Sequence, residues 1–504
     1  MELPSATMVA TLGAAWAGYE FIRHLVVSRV RRVFRDGAID FVRRHKIQLE
    51  SASFIDRVWI REALAQDADI GAAVAQLAKV TRDTPEELRR RVDAYVDEIA
   101  PFFSLSVYYR FGAFIGRRVV DFCFELVIDP TAFDRQLQSV PEGAVRVYVI
   151  NHRANMDPLV LAYGLLRHVP MSYAVGEWAL VWPLHTLFRA FGSYFVRRGE
   201  KDPLYHAVLQ RFVQLIAREG AVTGFFIEGG LTRDGALRRP RTGLLEYLVL
   251  LRREQPDREI VFMPVGLNYD RVLEDRILTR PVEEQRPTRL QRVVNLAALL
   301  FWLPQLAIAN AARAAVRAHR KFGYAAVCFG EPLRLTDVPG GATVHELDPA
   351  ARKELLQGLA DELLYRRIGR VVPAIPVPIF ATAMLREGAS DESSITQRIG
   401  DVCRELRAAG APVMLGHAFA TIEARRRSDS GPAIHADFDN ALLDSEEAEQ
   451  IFMVASYALV RRRVVRRVVT ETGRGHEVVA GSERVLRYYA NSIEHHLPRP
   501  SPVA

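Results

Sequence analysis

Residues 145–162 read VRVYVINHRANMDPLVLA. The first six, Val145–Ile150, are an apolar run rich in β-branched and aromatic side chains, as in a strand, and a second apolar run begins at Leu159, behind Asp157-Pro158. Asp followed by Pro is a strong helix start. The carboxylate caps orphan amides, and proline at the first helical position gives up an N–H that would have no partner anyway. The stretch therefore predicts a strand, a loop and a helix, with His152 in the loop at the carboxyl end of the strand. Two readings follow for the pair His152 and Asp157. The histidine is incidental beside an ordinary helix cap, or the loop curls so that the carboxylate meets one imidazole nitrogen and leaves the other free to accept a proton.

Working outward, residues 143–345 keep alternating short apolar runs with helical stretches. Strands are predicted at Val145–Ile150, Met171–Val175, Ser193–Val196, Val222–Ile227, Ile260–Leu267 and Tyr324–Phe329. This alternation predicts an α/β domain with a mixed, largely parallel sheet flanked by helices, whose ligands gather at the carboxyl ends of the strands. Before it, residues 38–104 are rich in Ala, Leu, Arg and Glu at helical spacing, "TPEEL" (Thr84–Leu88) reads as an N-cap, a first-turn proline and an acidic first turn, and a helical N-terminal domain is expected over residues 38–142. After it, residues 346–504 read as mainly helical. Residues 1–37 contain a basic amphipathic stretch with Arg23, Arg29, Arg31, Arg32 and Arg35, expected either to rest on an anionic bilayer or to be a solvated helix face. Residues 293–312 (VVNLAALLFWLPQLAIANAA) carry no charge and reach the length of a membrane span, but Pro304 interrupts them. A hairpin entering one leaflet is the favoured expectation, with a core helix or a span as alternatives.

The 504 residues carry a net charge of +7, which favours an anionic partner such as lipid, a phosphorylated substrate or nucleic acid. Only five of the 67 basic residues are lysines, so individual arginines need local reasons. The arginine clusters lack interleaved aromatics and any recognisable nucleic-acid module, which argues against nucleic acid. Cys123, Cys328 and Cys403 are far apart, with no metal-ligand spacing, and no metal site is expected. The first residues do not read as a secretory signal, and the expectation is a protein on the cytoplasmic face of a membrane.

Three further blocks stand with NHRANMDP. "GSYFVRRG" (Gly192–Gly199) ends a strand in Arg197 and Arg198, two rigid forks of donors suited to a phosphate. "FFIEGGLTRDG" (Phe225–Gly235) runs a buried strand into Glu228, Gly229 and Gly230, then Thr232 and Arg233, with Arg238, Arg239 and Arg241 downstream. Paired glycines allow close backbone approach to a ligand, and a carboxylate beside them is costly unless paired. "VFMPVGLNYD" (Val261–Asp270) is a strand with Pro264 inside it, which predicts an edge or a bulge.

In this order and spacing the four blocks resemble the glycerol-3-phosphate acyltransferase family of the glycerolipid acyltransferases. "YAAVCFGEPLRL" (Tyr324–Leu335) and "LRYYANSIEHHL" (Leu486–Leu497) resemble further segments of its glycerol-3-phosphate and dihydroxyacetone-phosphate branch. The resemblance implies an acyltransferase fold and transfer of an acyl group from acyl-CoA or acyl carrier protein to the sn-1 hydroxyl of glycerol-3-phosphate, with no cofactor. It implies His152 as general base, Asp157 as its orienting partner, donors at Gly229 and Gly230 for the oxyanion, and Arg197, Arg198 and Arg233, with Arg238 and Arg241, for the acceptor's phosphate. Glu228 is expected to orient an arginine or the acceptor's second hydroxyl. Leu231 stands where the family usually has an arginine, and Ala490 where it often has one. Acylation of dihydroxyacetone phosphate or lysophosphatidate, or a silent membrane-binding protein on the same fold, are the alternatives.

Overall fold

All six predicted apolar runs form strands, and they lie in one sheet. The structure, a computed structural model, describes residues 57–100, 119–165, 171–176, 193–197, 199–281, 321–386, 391–428, 433–471 and 473–498. The sheet strands are β1 (Glu125–Ile128), β2 (Val145–Ile150), β3 (Met171–Gly176), β4 (Tyr194–Val196), β5 (Val222–Phe226), β6 (Ile260–Tyr269), β7 (Tyr324–Phe329) and β8 (Leu333–Arg334). Their order is β1-β7-β6-β2-β5-β3-β4, with β8 also paired to β6. Strands β2 to β6 run parallel, whereas β7 and β8 are antiparallel to β6 and β1 runs with β7. The carboxyl ends of β2, β3, β4, β5 and β6 thus share one edge.

Around the sheet lie α1 (Arg57–Ala65), α2 (Ala68–Val80), α3 (Pro85–Ile99), α4 (Pro130–Gln138), α5 (Asp157–Leu165), α6 (Pro203–Arg218), α7 (Gly243–Val249), α8 (Asp275–Leu278), α9 (Pro349–Asp361), α10 (Pro376–Leu385), α11 (Glu392–Ala408), α12 (Ala420–Ser428), α13 (Ala433–Arg461) and α14 (Glu483–Glu494). The start of α3 is as read: Thr84 accepts from the Glu87 amide, and the Glu87 carboxylate accepts from the Thr84 amide at 2.8 Å, closing a capping box ahead of Pro85.

Strand β2 faces two cores because its side chains alternate. Val147 and Val149 pack with Leu88, Leu204, Phe212 and Leu356 from the N-terminal helices, α6 and α9. Tyr148 and Ile150 pack with Phe380, Ile399, Leu459 and Leu486 from the C-terminal helices. The result is three layers, helices on both faces of the sheet, with each fully buried large apolar side chain contributing about 1.5–3 kcal/mol. The C-terminal region shares the sheet's core on this face.

Three expectations change. The sheet begins at β1, within the stretch expected to be a helical domain, and a hairpin, β9 (Val465–Thr470) with β10 (Gly473–Val478), interrupts the helical C-terminal region. Pro264 lies in a central strand, opposite Val149 of β2, not at an edge or bulge. It is tolerated because on its other side β6 changes partner there, from β8 at Val261–Phe262 to β7 from Val265 onward. Its carbonyl still accepts from the Gly330 amide and from Gln136. The segments 1–37 and 293–312 lie outside the described residues.

Candidate active site

Beyond Ile150 the chain stays on the sheet for one more residue. The Asn151 side chain imitates a backbone unit, donating to the Leu267 carbonyl at 3.0 Å and accepting from the Leu267 amide at 2.8 Å. His152 is then the first residue of the turn. Its ring stacks on Phe226 at 4.1 Å between centroids, with 16° between planes. Asp157 Oδ2 lies 2.8 Å from Nδ1. A carboxylate on that nitrogen makes it the N–H, so the lone pair sits on Nε2, which makes no hydrogen bond among the described residues. His152 is 5% exposed.

Asp157 is the first residue of α5 rather than the residue before it, and its carboxylate does not cap forward. Oδ2 points back into the loop, accepting from the amides of Arg153 at 2.7 Å and Ala154 at 3.0 Å as well as facing His152. Of the two readings of the opening pair, the curled loop is the one adopted.

Glu228 stands at the carboxyl end of the neighbouring strand. Its Oε1 accepts from the His152 amide at 2.9 Å and its Oε2 from the Arg238 amide at 2.7 Å. Both oxygens hold backbone, so Glu228 is a clip between the histidine loop and the arginine loop. Burial raises its pKa; the two amide donors, Arg153 and His152 work in the other direction. Gly229, with φ +63°, leaves room for the stem of Arg241, whose Cγ would lie 2.9 Å from a Cβ there. Its amide donates to the Phe226 carbonyl at 3.0 Å. The expected role of Gly229 as an oxyanion donor therefore does not hold in this geometry.

The arginines divide into two groups. Arg233, Arg238 and Arg241 are exposed on the loop that follows β5, and Arg238 Nη1 donates to the carbonyl of Leu231 at 2.9 Å. Arg197 is committed elsewhere. Its Nε donates to Glu98 Oε1 at 2.7 Å and its Nη1 to Glu200 Oε2 at 3.0 Å, and it lies over the rings of Tyr95 and Tyr205. Glu98 raises its pKa most. Strand β4 is three strands from β2, about 14 Å at the usual spacing. As found, Arg197 ties α3 to the sheet and is not directed to the histidine. Arg198 lies outside the described residues.

Sequence reasoning missed several contributors. Asn151, Phe226 and Arg153 each sit inside or beside a quoted block, but only the fold reveals what they touch. Arg153 is 2% exposed, donates to the Gly235 carbonyl and lies over the Tyr488 ring at 5.0 Å. Glu274 accepts from the Asn155 amide, bracing the histidine loop from the segment after β6.

With this geometry in place, the likenesses of the chain gain meaning. A model described as Acyltransferase matches residues 133–268, and one described as Glycerol-3-phosphate acyltransferase C-terminal region matches residues 308–422. A glycerol-3-phosphate acyltransferase of Xanthomonas campestris pv. campestris is 28% identical over 370 residues, 70% of this chain and 39% of that protein. Another from Aeromonas hydrophila subsp. hydrophila is 31% identical over 255 residues, 50% of this chain and 29% of that one. The chain spans about two-fifths or less of the length of the curated relatives it matches. Among solved structures, the 1-acyl-sn-glycerophosphate (LPA) acyltransferase PlsC of Thermotoga maritima matches at 13% identity over 62% of this chain and 93% of that one, at a TM-score of 0.30, a likeness too distant to carry an argument. The chain is thus similar to acyltransferases over residues 133–268 and to the C-terminal region of glycerol-3-phosphate acyltransferases over residues 308–422.

Proposed function

We propose that this protein transfers a fatty acyl group from an acyl thioester, acyl-CoA or acyl carrier protein, to the sn-1 hydroxyl of glycerol-3-phosphate at a membrane surface. The observation that carries the reading is His152: Nδ1 held by Asp157, Nε2 without a hydrogen bond among the described residues, and the Arg233–Arg241 loop joined to the same turn through Glu228. Nε2 takes the hydroxyl proton as the oxygen attacks the thioester carbonyl. Asp157 stabilises the imidazolium so formed. The tetrahedral intermediate collapses, the C–S bond breaks, and the imidazolium returns the proton to the departing thiolate. No enzyme nucleophile is required. Positioned base catalysis of this kind is worth roughly 10²–10⁴-fold.

Arg233, Arg238 and Arg241 are the candidates to hold the acceptor's phosphate, with Arg198 a fourth from the sequence alone. With the Gly229 amide spent, the Gly230 amide, which no backbone carbonyl claims among the described residues, is the better candidate to face the oxyanion. Attachment to the cytoplasmic face of an anionic membrane is favoured by the basic stretch at residues 21–35 and the uncharged stretch at 293–312.

An acceptor-swap assay tests this. Purified protein is given palmitoyl-CoA or palmitoyl carrier protein with radiolabelled glycerol-3-phosphate, dihydroxyacetone phosphate or lysophosphatidate in turn. Preferred acylation of glycerol-3-phosphate is expected. Preference for another acceptor would overturn the substrate, and no transfer to any would overturn the reaction.

A further inference from the structure

The two loops of the site are 70 and more residues apart and are joined directly by Glu228, by the hydrogen bond from Arg153 to the Gly235 carbonyl, and by one long backbone bond, from the Thr232 amide to the His152 carbonyl at 3.4 Å. Helix α14, more than 330 residues after His152, touches both. The Tyr488 hydroxyl donates to the Arg153 carbonyl at 3.2 Å, while its ring lies beneath the Arg153 guanidinium. One turn on, Asn491 Nδ2 donates to the Asp234 carbonyl at 2.8 Å. Between them Gly235, at φ +90°, lies so close to α14 that a Cβ would come within 1.8 Å of the Tyr488 carbonyl oxygen. The Gly235 carbonyl in turn accepts from Arg153, closing a ring of contacts that runs from the histidine turn through Arg153 to the arginine loop and back through the helix.

The helix is itself firmly held. Tyr489 on the adjoining position accepts from the Val272 amide at 3.1 Å and donates to Asp275, and Ser492 accepts from Asn268 at 3.1 Å. Both anchors belong to the end of β6 and the segment after it, on the same sheet edge as His152. A rigid element therefore reaches across the edge and sets the spacing between the loop with the base and the loop with the arginines.

We infer that Tyr488 and Asn491 are positioning residues of the active site: Tyr488 holds the histidine turn through the Arg153 carbonyl, and Asn491 holds the arginine loop through the Asp234 carbonyl. The assignment of roles rests on the acyltransferase reading, since it is that reading which makes one loop the base and the other the phosphate binder. Neither side chain touches the reacting atoms. Their separate attachments give them separate kinetic signatures.

The test compares the full chain with Asn491→Ala, Tyr488→Phe and Tyr488→Leu, reading steady-state kinetics and amide hydrogen exchange. Asn491→Ala is expected to raise the acceptor KM roughly 3- to 10-fold, the worth of one hydrogen bond, with kcat and the thioester KM within twofold. Tyr488→Phe, which keeps the ring under Arg153, should lower kcat a few-fold without moving either KM, and Tyr488→Leu should lower it much further. Exchange at 232–236 should quicken in Asn491→Ala, and at both 152–154 and 232–236 in Tyr488→Leu, while β2 and β5 keep their protection. An acceptor and thioester KM that rise together, or unchanged protection in both loops of the folded variants, would overturn the inference. Absence of acyl transfer by the unaltered protein, with the exchange pattern as expected, would overturn the acyltransferase reading and leave the helix's hold on the loops standing.

Discussion

Asp157 concentrates three donors on one oxygen: the imidazole N–H of His152 and the amides of Arg153 and Ala154. The carboxylate shapes the turn and sets the tautomer at once, so removing its charge separates two effects. Asp157→Asn is expected to fold, because an amide oxygen can still accept from the two loop amides, yet to lose on the order of 10²-fold or more in kcat, because a neutral amide no longer stabilises a positive imidazolium. Circular dichroism and single-turnover rates check the two halves. Glu228 is more sensitive in structure than in chemistry. Glu228→Gln offers one oxygen where two backbone N–H groups need acceptors, and its NH2 would face a donor. A buried amide left without its acceptor costs about 1–3 kcal/mol, so a lower melting temperature together with a roughly tenfold fall in kcat/KM is expected; an unchanged melting temperature would contradict the clip.

At the level of elements, the strand-loop-helix reading of residues 145–162 came directly from periodicity and Asp-Pro chemistry, and the parallel sheet from alternation. The direction of the Asp157 carboxylate did not, because a helix cap and a hydrogen-bond partner of the histidine look alike in a linear sequence; only the path of the loop decides. Pro264 was misread because a sequence does not disclose where a strand's partner changes. Strand β1 was missed because Glu125–Ile128 is four residues long and only half-buried, too short for period two to stand out. Arg197 was placed with the phosphate because the sequence could not reveal Glu98, about a hundred positions earlier. Gly235 was quoted as the end of a motif without a reason, and the reason is helix α14. Gly235→Ala combines a left-handed backbone with a clash against the Tyr488 carbonyl. A loss on the order of 2 kcal/mol or more is expected, read by denaturant unfolding, with the smaller loss expected for Gly143→Ala, which has the same sign of φ and open space around it, giving the backbone share.

At the scale of the whole molecule, a buried carboxyl at the end of β6 ties three elements together. Asp270 accepts from the amides of Tyr324 at 2.9 Å and Val377 at 2.8 Å, joining the end of β6 to β7 and to α10. Burial pushes its carboxyl from 3.8 up to about 7, the two amides opposing the shift and Glu125 adding to it. Its value in the folded chain lies above that in the unfolded chain, so the folded state holds a proton that the unfolded state releases between 3.8 and about 7. The stability this group contributes is fully present below the lower value and is lost as pH rises through the upper one. The melting temperature should fall between about pH 4 and about pH 7 in the unaltered protein, and Asp270→Asn, although less stable throughout, should show a flatter dependence. Equal slopes would assign the pH dependence elsewhere. The central claim for the molecule is that its three layers exist to hold one imidazole at a sheet edge beside an arginine loop. The most direct test is the rate of acyl transfer from palmitoyl-CoA to glycerol-3-phosphate by the unaltered protein and by His152→Ala at matched concentration and verified fold. A fall of roughly 10²–10⁴-fold in the variant is predicted, and equal rates would contradict the account.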